Sequence, residues 1–178
     1  MARIPYYALE TGDEEKLKLI GNEPRLNIQL MLGHAKYPIL HDYIAFTGNL
    51  VFNGELDPIL REMAIVRTGV LCRSDYEAHH HRALSRRVGM VEEKIEALSV
   101  GSTDPVFSKI EQMVLRFTEE TVLLGKATDE TFKAAAEHFP SAQLVELGLV
   151  IGCYMMVSSF LNNFEVDIEV PGTSSSVK

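Results

Sequence analysis

Between residues 71 and 84 the chain reads LCRSDYEAHHHRAL, a stretch that holds three of its six histidines beside a cysteine, two acids and a tyrosine. Glu77 and His81 are four apart, so on a helix they project from one face about a turn from each other. A carboxylate beside an imidazole fixes the ring's tautomer and raises its affinity for a proton, which suits proton transfer near neutral pH. His80 stands about 100° further round the helix and His79 a similar step beyond, so the three cannot all face one pocket. His79 is expected outward, and His80 fits either side. For each histidine taken alone, a satisfied polar or solvent-facing ring fits the pattern at least as well.

Metal chemistry can be tested on the spacing. EAHH, Glu77 to His80, is an E-x-x-H, but the paired-iron sites built from that motif need a second copy, and neither that nor an H-E-x-x-H occurs. No metal site is predicted. Cys72 precedes the helix start, where the helix dipole or Arg73 would lower a thiol pKa, and the competing reading is a buried, inert thiol. Cys153 lies in the most apolar segment and reads as core. With no C-x-x-C, the two cysteines form neither a disulfide scaffold nor a dithiol redox motif. Glu62, beside Arg61, borders the apolar stripe of Met63, Val66 and Val70. Pattern alone makes it a surface ion pair; a helix facing His81 would instead give two carboxylates around one imidazole.

The elements that must hold these residues are helical. RLNIQLMLGHAKYPILHDYIAFTGNLVF has apolar residues at helical spacing with a break near Tyr37-Pro38. Asp57 and Pro58 suit the cap and first position of a helix through Cys72 that places Ile59, Met63, Val66 and Val70 on one face. Ser74 or Asp75 caps the histidine helix, which Gly89 closes. A short helix follows in VEEKIEALS. Asp104-Pro105 is expected to open a long helix with Ile110, Met113, Val114 and Phe117 inward, Thr128 to cap the next, and Pro140-Ser141 to start the last. Only FEVDIEV alternates like a strand. The expectation is an all-α domain of seven or eight helices over residues 1–170, with 171–178 as a flexible tail.

A chain of 178 residues can bury about 70% of its unfolded surface, enough for one substantial core. Its net charge of −8 carries no electrostatic footprint for nucleic acid or an anionic membrane. The N-terminal MARIPYYALETGDEEKLK has no apolar h-region, and LVELGLVIGCYMMVSSFL, interrupted by Glu146, reads as a core or subunit-interface helix rather than a membrane span. A cytoplasmic location is expected.

The stretch LDPILREMAIVRTGVLCRSDYEAHHHRALSRRVGMVEEKIEAL resembles the carboxymuconolactone decarboxylase family, which includes the alkylhydroperoxidase D proteins. The likeness rests on order and spacing: LRE, then Y-E-x-x-x-H beginning fourteen residues after that glutamate, then ALSRRVG and a short acidic helix. Peroxidase members resemble one another in a glutamate, a C-x-x-C pair and a histidine four residues on. Aligned on that histidine, the chain has His81, with Glu77 and Ser74 at the two thiol positions and Glu62 at the glutamate. With neither thiol present, the resemblance is to the decarboxylase-like branch, where Tyr-Glu and a downstream histidine occupy these places.

That branch implies an acid/base enzyme without organic cofactor or metal, acting on a small unsaturated lactone or keto acid. His81 would donate or take the proton, Glu77 orient it, and Glu62 supply a second carboxylate. Ser74, Tyr76 and His80 would contact substrate, with Arg73 among the arginines (Arg67 and Arg82 are the others) available to an anionic group. Ala78 replaces the usual bulky aromatic and would enlarge the pocket. The resemblance also implies a homo-oligomer: a dimer, trimer or hexamer. Two other functions stay open: a peroxide-reducing protein using Cys72, and a non-catalytic oligomeric binder on the same scaffold.

Overall fold

The computed structural model describes residues 1–9, 12–21 and 25–169, which form nine helices and no strand. They are α1 (Glu14–Ile20), α2 (Asn27–Leu32), α3 (Tyr37–Phe52), α4 (Pro58–Leu71), α5 (Asp75–Arg87), α6 (Glu92–Ala97), α7 (Lys109–Leu124), α8 (Asp129–His138) and α9 (Ser141–Phe164). The all-α expectation holds. The additional helix is α1, which has no long apolar stripe to announce it and buries only Ile20.

Helix α4 begins as its sequence dictates. The Asp57 carboxylate accepts from the N–H groups of Ile59 and Leu60 at 2.9 and 3.1 Å, with Pro58 beside it. The expected single inner face is too narrow, however. Every residue from Leu60 to Gly69 is buried, because α5, α7 and α9 surround this helix. A helix so enclosed must find partners for its polar side chains. Arg67 donates to Glu119 Oε1 at 2.9 Å and to the carbonyls of Leu98 and Ser99, while Thr68 donates to Ala64 O. Glu62 is fully buried and is partnered across the helix interface.

At Gly69 the backbones of α4 and α5 approach closely. A Cβ there would stand 3.2 Å from Ala78 N and 3.3 Å from Glu77 Cβ. Ala78 is buried at this approach and is absent from the cavity lining, so it does not widen the pocket. Helix α5 ends where Gly89, at φ +92°, lets Met90 N–H reach Ser85 O at 3.0 Å.

Helix α7 starts at Lys109, not at Asp104-Pro105. Ser108 and Glu111 form a capping box, Ser108 N–H donating to Glu111 Oε2 at 2.7 Å, whereas Asp104 only closes a turn onto Val106 N–H. The later start rotates the stripe: Ile110 is 36% exposed, and Val114, Leu115, Phe117 and Thr118 face the core. Thr128 caps α8 and Pro140 precedes α9, as expected.

Helix α9 alone among the described residues is long and apolar enough to cross a membrane by length and composition. Its inner face, including Leu147, Ile151, Tyr154 and Leu161, is buried against the bundle, and Val145, Leu149 and Met156 lie exposed opposite. After it residues 166–169 form neither helix nor strand. Asp167 there accepts from Ala2 N–H and the Tyr6 hydroxyl at 3.0 and 3.1 Å. The expected tail, 171–178, lies outside the described residues.

Candidate active site

Two helices create the centre of the site. Helix α5 presents Glu77 and His81 on one face, and α4, drawn close at Gly69, presents Glu62 opposite. Glu62 Oε2 lies 2.7 Å from His81 Nδ1, and Glu77 Oε1 lies 3.0 Å from His81 Nε2. The other Glu62 oxygen accepts from Arg61 Nε and Nη2, both at 3.2 Å. Arg61, Glu62, Glu77 and His81 are all buried. With the imidazole protonated, the four formal charges alternate and cancel, which is what lets such a cluster leave water. Tyr154 of α9 sets its ring edge-on to His81, with centroids 4.8 Å apart and an interplanar angle of 80°.

Burial alone would depress the His81 pKa. The hydrogen bonds to Glu62 and Glu77, and their charges, outweigh it and raise the value from 6.5 to about 9. At neutral pH His81 is therefore an imidazolium with both N–H groups directed at carboxylates. A folded-state pKa above the ordinary value means that the native protein holds this proton more tightly than the unfolded chain. The stabilisation is complete below about pH 6.5, on the order of 3 kcal/mol, and is lost as pH rises through 9. Thermal melts from pH 6 to 10 should show Tm falling across that window, with the fall absent in His81→Gln. A flat wild-type profile would contradict the assignment.

One side of this cluster opens on a cavity of about 290 Å³ between α2, α3, α5 and α9. Leu26, Ile28, Ile44 and Val51 provide much of its wall, with Tyr43, Tyr76, Glu77, His80, His81 and Tyr154 as its chemically active members. Burial and the charge of Glu77 push the Tyr43 and Tyr154 phenols far above their ordinary range, so both stay protonated.

Beside the cluster, Tyr76 and His80 meet a residue that the sequence pattern did not single out. The Tyr76 hydroxyl donates to Glu169 Oε1 at 2.7 Å and accepts from Ile28 N–H at 3.2 Å. Asn27 N–H donates to the same Glu169 oxygen. His80 Nε2 lies 2.7 Å from Glu169 Oε2, at ion-pair distance but off the line of a good hydrogen bond. Burial lowers the His80 pKa despite Glu169. Glu169 thus holds α2, one wall of the cavity, against α5. Its alternating FEVDIEV context pointed to a strand and hid this role.

The remaining sequence candidates fall elsewhere. Cys72 caps the end of α4 outside the cavity lining, and burial raises its thiol pKa, opposite to the expected activation. The C-terminal end of a helix offers a thiolate no favourable dipole. Arg73 is exposed, at φ +56°, and does not line the cavity. Ser74 is buried behind the site, its hydroxyl without a partner. Arg67 is engaged as described, and Arg82 donates to Ser99 Oγ at 2.9 Å. His79 faces solvent, as the helical geometry requires. Tyr43 and Tyr154 escaped notice because each sits on an apolar helix where a tyrosine reads as core.

The helical fold is alkylhydroperoxidase D-like. The chain is similar to a solved Ralstonia eutropha structure described as an alkylhydroperoxidase AhpD core and an uncharacterized peroxidase-related protein, at 17% identity and TM-score 0.80, covering 94% of this chain and 92% of that one. It is similar also to the debrominase Bmp8, solved as a cysteine-to-alanine variant with 2,3,4-tribromopyrrole, at 13% identity and TM-score 0.78, covering 96% and 95%. A peroxidase-related protein from Silicibacter sp. aligns at 15% identity and TM-score 0.69, covering 76% and 72%. Residues 38–120, which contain Glu62, Glu77 and His81, match the model of the carboxymuconolactone decarboxylase family. No curated protein matches the chain.

Proposed function

We propose that the protein is an acid/base enzyme that acts on a small unsaturated lactone or keto compound and needs no group beyond its own side chains for the proton steps. One observation carries this reading: His81, bridged by Glu62 and Glu77, meets an apolar cavity at the Glu77 side. A protonated imidazole with a pKa of about 9 is an acid at pH 7, and the carboxylate 3.0 Å away is a base. An acid and a base held side by side can remove a proton from one substrate atom and return one to another. Glu62 acts through His81, holding the ring and sustaining its charge, and is a positioning residue.

The peroxide-reducing alternative would need a reactive thiolate at Cys72. That thiol lies outside the cavity lining, its pKa is raised by burial, and Cys153, the other cysteine, is also raised, to about 11. The deciding experiment compares wild type with Cys72→Ala for turnover of hydrogen peroxide and alkyl hydroperoxides with a dithiol reductant. No turnover in either is expected. Robust turnover lost in Cys72→Ala would replace the acid/base reading with the thiol one.

A further inference from the structure

The charges around the cavity narrow what can enter it. Among the described residues its lining contains neither lysine nor arginine. Nearby arginines have partners of their own or lie outside the lining: Arg25, next to Leu26, donates to Gly21 O, Arg61 to Glu62, Arg67 to Glu119 and two carbonyls, and Arg82 to Ser99, while Arg73 is exposed outside it. The formal charges at the cavity are those of Glu77 and protonated His81, already matched to each other, to Glu62 and to Arg61. A substrate carboxylate entering here would shed its water, find no cation without a partner, and stand beside Glu77.

Two uncharged donors are present instead. Tyr43 comes from α3 and Tyr154 from α9, both line the cavity, and among the described residues neither hydroxyl has a hydrogen-bond partner. Tyr43, Tyr154 and Glu77 line this one cavity, and the charge of Glu77 raises both phenols. A pair of neutral O–H groups in a water-poor pocket is suited to a carbonyl oxygen that gains negative charge during reaction.

We propose that the site takes an uncharged, largely apolar carbonyl compound, and that the Tyr43 and Tyr154 hydroxyls hold its oxygen. The inference rests on the acid/base reading and narrows its substrate to an uncharged carbonyl compound whose double bond is shifted. Glu77 removes a proton from a carbon adjacent to the carbonyl, and that electron pair moves into the carbonyl to form an enolate held by the two phenols. His81 Nε2 then gives its proton to a carbon further along the conjugated system, and the carbonyl re-forms with its double bond shifted. Glu77 is left protonated and His81 neutral; transfer of one proton between them across 3.0 Å restores both. Every atom of the substrate is kept.

The test is binding, read by calorimetry at pH 7 with muconolactone, an anion, and with its uncharged methyl ester. The ester should bind at least about tenfold more tightly, and Tyr43→Phe or Tyr154→Phe should each weaken it about fivefold, the effect of one hydrogen bond. Thr47→Lys, which puts a cation in the wall, should reverse the preference, with melting curves confirming that each variant is folded. Equal or tighter binding of the anion to wild type, or binding of neither compound, overturns the proposal. Because no turnover is required, such a result leaves the acid/base reading to be judged separately by the activity of His81→Gln.

Discussion

His81→Gln should lose turnover by about 10²- to 10⁴-fold while the protein remains folded at pH 7, the range spanned by general acid–base groups. The His81 imidazole, held beside Glu77, can both deliver a proton and recover one, and glutamine does neither. Glutamine can still place an amide between Glu62 and Glu77, which limits the structural damage from leaving two buried carboxylates without their shared cation. The measurement is kcat on the best substrate from the lactone and keto-compound screen, with circular dichroism to confirm the fold. Added imidazole should restore part of the rate, since the cavity opens to His81. Activity within about tenfold of wild type would remove His81 from the chemistry.

Glu62→Gln carries the largest expected loss of stability. Glu62 is 0% exposed and takes Arg61 on one oxygen and His81 on the other. Neutralising it leaves Arg61 without its carboxylate and His81 with Glu77 alone, and breaking a buried pair from one side costs about 3–5 kcal/mol. For a chain of this length that corresponds to a Tm lowered by on the order of 10 °C. A second effect separates this residue from an ordinary core ion pair. With one carboxylate gone and burial unchanged, the His81 pKa must fall from about 9, so the activity profile should lose its high-pH acid limb and shift downward. A variant that melts within about 1 kcal/mol of wild type with an unmoved pH profile would show that Glu62 neither anchors nor tunes His81.

The helices themselves were legible because their signals are local. Asp57-Pro58, Gly89, Thr128 and Pro140 act through hydrogen bonds or backbone angles within a few residues, and each marks the boundary it should. Where two local signals competed, the stronger one won. Asp104-Pro105 lost the start of α7 to Ser108 and Glu111, which satisfy each other's backbone groups reciprocally. The same locality explains Glu77 and His81, since spacing of four on a helix is enough to bring them together.

Glu62 was half legible. Its place before Y-E-x-x-x-H identified it through the family pattern, but its burial did not follow from its neighbours, because a charge beside an apolar stripe is ordinarily at the surface. Only the approach of α5 at Gly69 and the enclosure of α4 on every side decide that this carboxylate points at an imidazole. Cys72 and Arg73 lie outside the cavity lining for the complementary reason. Nearness in sequence to the histidine helix suggested nearness to the site, but the turn between α4 and α5 directs both away from the cavity.

The sequence by itself therefore determined an all-helical chain, the boundaries of most helices, and one acid/base pair on a single helix face. The tertiary structure decided the rest: the second carboxylate, the two phenols, the Glu169 clasp on α2, and the absence of an arginine or lysine from the cavity lining among the described residues. The physical reason is one of range. Backbone caps and i,i+4 contacts are fixed within about a turn of chain, whereas a pocket is defined by side chains from four helices that meet only when the core packs.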